Sequence, residues 1–265
     1  MSHRQGTSRL SLILGAVCAV VLLGHAAEVW VPGQAAPGCS VLIVAFGGGW
    51  GRTAMEQETQ LVSVVSGLDS TLRRRGLTSK TVQYHLTPDD GQPRIAVFAE
   101  IMGLSRTRAE HLAATLSEFC RRPHHPWVIL VGLSNGAAFM NNILTAVDPD
   151  VENEILGIEL GTPFWNPRLD LANSLFFDNG GIDPLPNGEV YQILPLALLG
   201  VARCLADWLR GDEIEVGPAF RVPQHSYCWR QTGREITEFV DRRYGLRRRN
   251  AARDVQPAPA ARSAK

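Results

Sequence analysis

From Ser40 onward the apolar positions fall in blocks whose period switches between that of a buried strand and that of a helix. The run VLIVAF is continuous and rich in β-branched residues, as in a strand covered on both faces, and it ends in Gly47-Gly48-Gly49-Trp50-Gly51. A helical stretch follows from about Ala54 to Arg75. Thr81 to Leu86 alternates like a half-buried strand, a Pro-Asp-Asp-Gly-Gln-Pro turn comes next, and Arg106 to Phe119 carries apolar residues at helical spacing. WVILVG repeats the buried-strand signal before a helix from about Ala137 to Val147, and Ile155 to Leu160 repeats it again.

Strands that alternate with helices at this spacing predict an α/β fold, because parallel strands need crossover connections that cover both faces of their sheet. Ligands in such sheets bind beyond the carboxyl ends of the strands, so the GGGWG and GLSNG segments should share one edge. After Gly161 the pattern loosens. Pro163, Pro167, Pro184 and Pro186 mark loops, and VYQI reads as a short strand. Pro195 to Arg210 reads as an amphipathic helix with Leu198, Val201, Leu205 and Trp208 on one stripe; that stripe either packs on the sheet or covers a cleft for apolar ligands. Arg234 to Tyr244 reads as a closing helix.

Lys plus Arg and Asp plus Glu number 26 each, so no net field draws the chain to nucleic acid, and none is expected as a partner. The N-terminus alters the picture more. His3, Arg4 and Arg9 precede an apolar run from Leu10 to Leu23 and small residues at Gly24 to Ala27, the pattern of an export signal. A cleaved peptide and a retained anchor both fit a run of this length. Four cysteines, Cys39, Cys120, Cys204 and Cys228, follow the signal; they suit disulfides in an oxidising compartment or buried thiols, and lack the close paired spacing of a zinc site. No metal and no cofactor are expected.

Gly132-Leu133-Ser134-Asn135-Gly136 matches G-x-S-x-G where a buried strand meets a helix. A serine nucleophile needs such a sharp turn to lift its hydroxyl above the sheet, and the flanking glycines let strand and helix approach closely. Carrying this motif, the chain resembles the α/β-hydrolase superfamily, particularly its compact lipases and esterases, over roughly Ser40 to Tyr244. The resemblance implies an α/β-hydrolase-like, mostly parallel sheet with helices on both faces. It implies a hydrolase domain over 39–245, flanked by the signal peptide or anchor read over residues 1–27 and by a polar, Ala- and Pro-rich tail over 246–265 whose composition predicts disorder.

It also implies the chain order nucleophile, acid, histidine. Ser134 is then the nucleophile, and His225, the one histidine downstream of it, is the base. Asp183, in the turn G-x-x-D-P-L-P after the apolar SLFF segment, is the preferred acid. Asp212 is the alternative, being closer to His225 in sequence; Asp170 and Asp178 are weaker candidates, and Asp207, with Arg203 and Arg210 at ion-pair spacing, reads as a surface salt bridge. The oxyanion hole would combine the backbone N–H of Asn135 with that of Gly48, in a Phe46-Gly47-Gly48-Gly49 segment similar to the family's HGGG element but with phenylalanine replacing the histidine. The expected chemistry is hydrolysis of small-molecule or lipid carboxylic esters through an acyl-enzyme, by a protein exported or held at a membrane by its N-terminal segment. Acyl transfer, thioester or peptide cleavage on the same fold, and a non-catalytic tethered binding protein, are the competing expectations.

Overall fold

The computed structural model describes residues 38–49, 53–86, 106–166, 170–210, 222 and 224–254. Five strands, β1 (Val41–Phe46), β2 (Ser79–Tyr84), β3 (Trp127–Leu133), β4 (Ile155–Leu160) and β5 (Ser174–Phe177), form one sheet in the order β2-β1-β3-β4-β5. Every neighbouring pair is parallel. The helices are α1 (Thr59–Arg74), α2 (Thr107–Cys120), α3 (Asn135–Ala146), α4 (Pro184–Asn187), α5 (Val190–Arg210) and α6 (Trp229–Asp254).

The strand pleat divides the core into two layers. Leu42, Val44 and Phe46 of β1 and Val128 and Leu130 of β3 face α2 and α3, where Leu112, Leu116, Phe139, Met140 and Ile143 complete one cluster. Val41, Ile43, Ala45, Ile129 and Val131 face the opposite way and pack on Leu61, Val64 and Leu68 of α1 and Ile236, Phe239 and Val240 of α6. Burial on both sides explains why β1, β3 and β4 are continuous apolar runs, each fully buried side chain contributing roughly 1.5–3 kcal/mol. β2 is a half-buried edge and keeps its polar alternation.

The structure departs from the sequence reading in the C-terminal third. VYQI is not a strand: Val190 to Ile193 form the first turn of α5, which continues through Pro195 to Arg210. No neighbouring strand pairs with this segment, and its β-branched residues are instead accommodated on a helix surface. Pro195 breaks one backbone hydrogen bond inside that helix, close to the exposed Tyr191. Leu198, on the stripe read either as packing on the sheet or as covering a cleft, is exposed and does not pack on the sheet; the side chains of Val201, Leu205 and Trp208 lie outside the described residues, as does the side chain of Cys204. The closing helix α6 starts earlier than expected and runs to Asp254, past the anticipated domain boundary. Cys39 and Cys228 are free thiols. Residues 1–27, read above as an export signal or anchor, Asp212 and residues 255–265 lie outside the described residues. Among the described residues, no helix is long and apolar enough to cross a membrane.

Candidate active site

β3 and α3 meet at Ser134 with φ 54° and ψ −119°, a conformation that a non-glycine residue adopts at a cost of order 1–3 kcal/mol. The strain is imposed from both sides. Leu160 at the end of β4 accepts the Ser134 N–H at 2.8 Å, and the helix begins at once with Ala138 N–H bonding to the Ser134 carbonyl at 3.0 Å. The glycines make the turn sterically feasible. A Cβ on Gly132 would stand 2.6 Å from Ala137 Cα, and one on Gly136 would stand 2.4 Å from the carbonyl oxygens of both Phe46 and Gly47. The second contact also sets the glycine turn after β1 directly against the serine turn, on the sheet edge formed by the strands' carboxyl ends.

That glycine turn is held by three groups. Asn135 Nδ2 donates to the Gly49 carbonyl at 2.9 Å, and Gly48 lies against Leu133. The Gly48 N–H donates to Glu58 Oε2 at 2.9 Å. Phe46, which stands where the HGGG element has its histidine, is fully buried and packs its ring on Tyr84 and Phe139 at centroid distances of 5.6 and 5.9 Å. Apolar packing supports the turn from below where a polar side chain would otherwise have supported it. Asn135 opens α3, and its backbone N–H is one of the first-turn donors that have no carbonyl partner within a helix.

Asp183 is completely buried, and its carboxylate gathers three donors. It caps α4, with Oδ1 accepting the Leu185 N–H at 3.0 Å and Pro184 in the first helical position, which suits a proline because no N–H is needed there. Its Oδ2 is shared between His225 Nδ1 at 2.6 Å and the Tyr227 hydroxyl at 2.5 Å. A carboxylate oxygen accepts, which makes Nδ1 the donor of this pair and Nε2 the ring nitrogen turned away from Asp183. Nε2 is buried and has no hydrogen-bond partner among the described residues, the Ser134 hydroxyl included. Burial, reinforced by the neighbouring Asp183 charge, pushes the Tyr227 phenol well above its ordinary pKa and keeps it a donor.

The histidine loop is fixed at both ends of its short span. Asn179 Nδ2 donates to the Gln224 carbonyl at 3.0 Å, tying it to the acid loop, while Gln60 Oε1 and Ser63 Oγ of α1 accept the N–H groups of Tyr227 and Trp229 at 2.9 and 3.1 Å. The imidazole then lies over Gly161, the residue after β4. A Cβ at Gly161 would come within 2.4 Å of His225 Cε1, and Gly161 itself has φ 66°. Since the Leu160 carbonyl binds the Ser134 N–H, serine turn and imidazole occupy neighbouring positions on one rim.

The structure thus brings together Ser134, Asn135, Gly48, His225 and Asp183. Tyr227, Gly161 and Glu58 belong to the same assembly and were not singled out by their sequence context. Among the described residues, no group of three or more His, Cys, Asp or Glu side chains could hold a metal ion. No protein-family model matches the sequence, and no curated protein matches it. The site's meaning therefore rests on its geometry.

Proposed function

We propose that the chain is a serine hydrolase of the α/β-hydrolase type that cleaves carboxylic esters through an acyl-enzyme on Ser134. The observation that carries this reading is the pair of buried Asp183 and half-buried His225 seated on Gly161, one residue beyond the carbonyl that binds the strained Ser134. In this mechanism His225 Nε2 takes the Ser134 proton as the hydroxyl attacks the ester carbonyl, and returns it to the departing alcohol. Asp183 fixes the imidazole tautomer and stabilises the imidazolium. Its third donor, Tyr227, keeps the carboxylate in place. The N–H groups of Asn135 and Gly48 receive the tetrahedral oxyanion, and a water activated by His225 then releases the acid.

The chain order of serine, acid and histidine, with the acid in the loop that follows a late strand, supports the α/β-hydrolase assignment. Apolar esters, lipids among them, are the favoured substrates. Phe164, Ile182, Val190, Tyr191, Leu194, Leu198 and Leu199 are all exposed on and beside α4 and α5, next to the acid, which is an unusual concentration of large apolar side chains for a solvated surface. Export or tethering by the first 27 residues belongs to the same proposal.

The test is hydrolysis of p-nitrophenyl esters by the protein beside a Ser134→Ala variant. The expected loss is about 10³-fold or more. Equal rates would end the proposal. A second reading, a non-catalytic binding protein on this scaffold, is favoured by one observation: His225 Nε2 and Ser134 Oγ share no hydrogen bond. Catalytic hydrogen bonds are often long before substrate arrives, which is why hydrolysis is preferred.

A further inference from the structure

Glu58 lies beside the site without a part in the mechanism above. It is the residue before α1, and its side chain reaches the glycine turn that follows β1. One carboxylate oxygen, Oε2, accepts the Gly48 N–H at 2.9 Å. The other, Oε1, is buried with no hydrogen-bond partner among the described residues and rests on Gly47, where a Cβ would stand 2.3 Å from it. A half-satisfied carboxylate in such a position is costly, and glycine at 47 is what makes room for it. Burial raises the Glu58 carboxyl above its ordinary value, the Gly48 N–H opposing it.

The Gly48 N–H is also one of the two donors assigned to the oxyanion, and a carboxylate oxygen is chemically a close stand-in for an oxyanion. The geometry points to Glu58 as a gate on the oxyanion hole: in the resting protein its carboxylate takes the Gly48 N–H, and the hole is complete only once that carboxylate has swung aside. This inference rests on the serine hydrolase reading and adds a resting state to it. Glu58 acts through the Gly48 amide, which makes it a positioning residue. Its cost falls on transition-state stabilisation, because a ground-state ester carbonyl needs the donor far less than a tetrahedral oxyanion does.

The experiment compares the rate of Ser134 labelling by a fluorophosphonate probe, and kcat and KM for a p-nitrophenyl ester, in the wild type, Glu58→Ala and Glu58→Gln, with circular dichroism as a check of folding. One oxyanion-hole donor is worth about 10²–10³ in kcat, so freeing it in Glu58→Ala should raise the labelling rate and kcat by about tenfold or more, with KM nearly unchanged. Glu58→Gln keeps an acceptor for Gly48 without the charge, and should fall between the two. A folded Glu58→Ala labelled no faster than a wild type that is itself labelled would overturn the gate and leave the hydrolase reading intact. Where Glu58→Ala does not fold, a Glu58→Gln rate at or below the wild type overturns it instead. Absence of labelling in all three proteins would overturn both.

Discussion

Replacing Tyr227 by phenylalanine isolates one hydroxyl whose role in the site is defined by geometry. The ring is 1% exposed, and its hydroxyl donates at 2.5 Å to an Asp183 carboxylate that is itself fully buried. The substitution leaves the ring's packing and leaves Asp183 with two donors, His225 Nδ1 and the Leu185 N–H. What is lost is one charge-assisted hydrogen bond, about 1.5–3 kcal/mol. In a domain of this size 1 kcal/mol corresponds to about 2–4 °C, so a loss near 2 kcal/mol lowers Tm by about 4–8 °C. The pH dependence follows the raised pKa of Tyr227. The folded protein holds the phenol proton more tightly than the unfolded chain, whose tyrosines titrate at about 10. This stabilisation is therefore complete below pH ~10 and is lost as pH rises beyond it towards the folded pKa. Thermal unfolding followed from pH 7 to 11 reads both effects. Tyr227→Phe should be less stable at pH 7 and should lack that part of the alkaline decline. A variant within about 1 °C of the wild type at pH 7, with the same alkaline slope, would refute the placement of the hydroxyl on a charged carboxylate.

Three further substitutions probe the same rim. Asp183→Asn removes the charge that orients the imidazole, and ester hydrolysis should fall by about 10⁴-fold in kcat, as it does when the corresponding acid of a serine protease is changed. Gly161→Ala must push the imidazole aside, because the new Cβ would lie 2.4 Å from His225 Cε1 at φ 66°; kcat should drop by about 10²-fold in a protein that still folds by circular dichroism. Gly136→Ala sets a methyl 2.4 Å from two backbone carbonyl oxygens that cannot yield as a side chain can. Denaturant unfolding should register a loss of about 3 kcal/mol or more, and a loss below about 1 kcal/mol would contradict the close approach of the two turns.

The readable parts of this chain are those where a single local rule decides. β1, β3 and β4 announce themselves because both of their faces are buried, and the serine turn because its two glycines sit where a strand meets a helix. Asp183 stood out in its G-x-x-D-P-L-P turn after the apolar SLFF segment, but the choice between it and Asp212 needs tertiary geometry. A hydrogen bond spanning the 42 residues from Asp183 to His225 leaves no trace in local pattern. Tyr227 and Glu58 were missed for the same reason: one reads as an ordinary loop aromatic, the other as an acidic residue at a helix start. Gly161 was noticed only as the place where periodicity ends, although a glycine directly after a buried strand was the available signal. VYQI misled because β-branched residues favour strands, whereas its place before an amphipathic stripe made it part of a helix.

The most direct measurement is peptide-mapped mass spectrometry after treatment with diisopropyl fluorophosphate, which is attacked only by an activated nucleophile. A single adduct on the peptide containing Ser134 is predicted in the wild type, strongly slowed in His225→Ala and absent in Ser134→Ala. An unmodified Ser134 in a folded protein, or modification that proceeds equally fast without His225, would contradict a working serine–histidine pair at this rim.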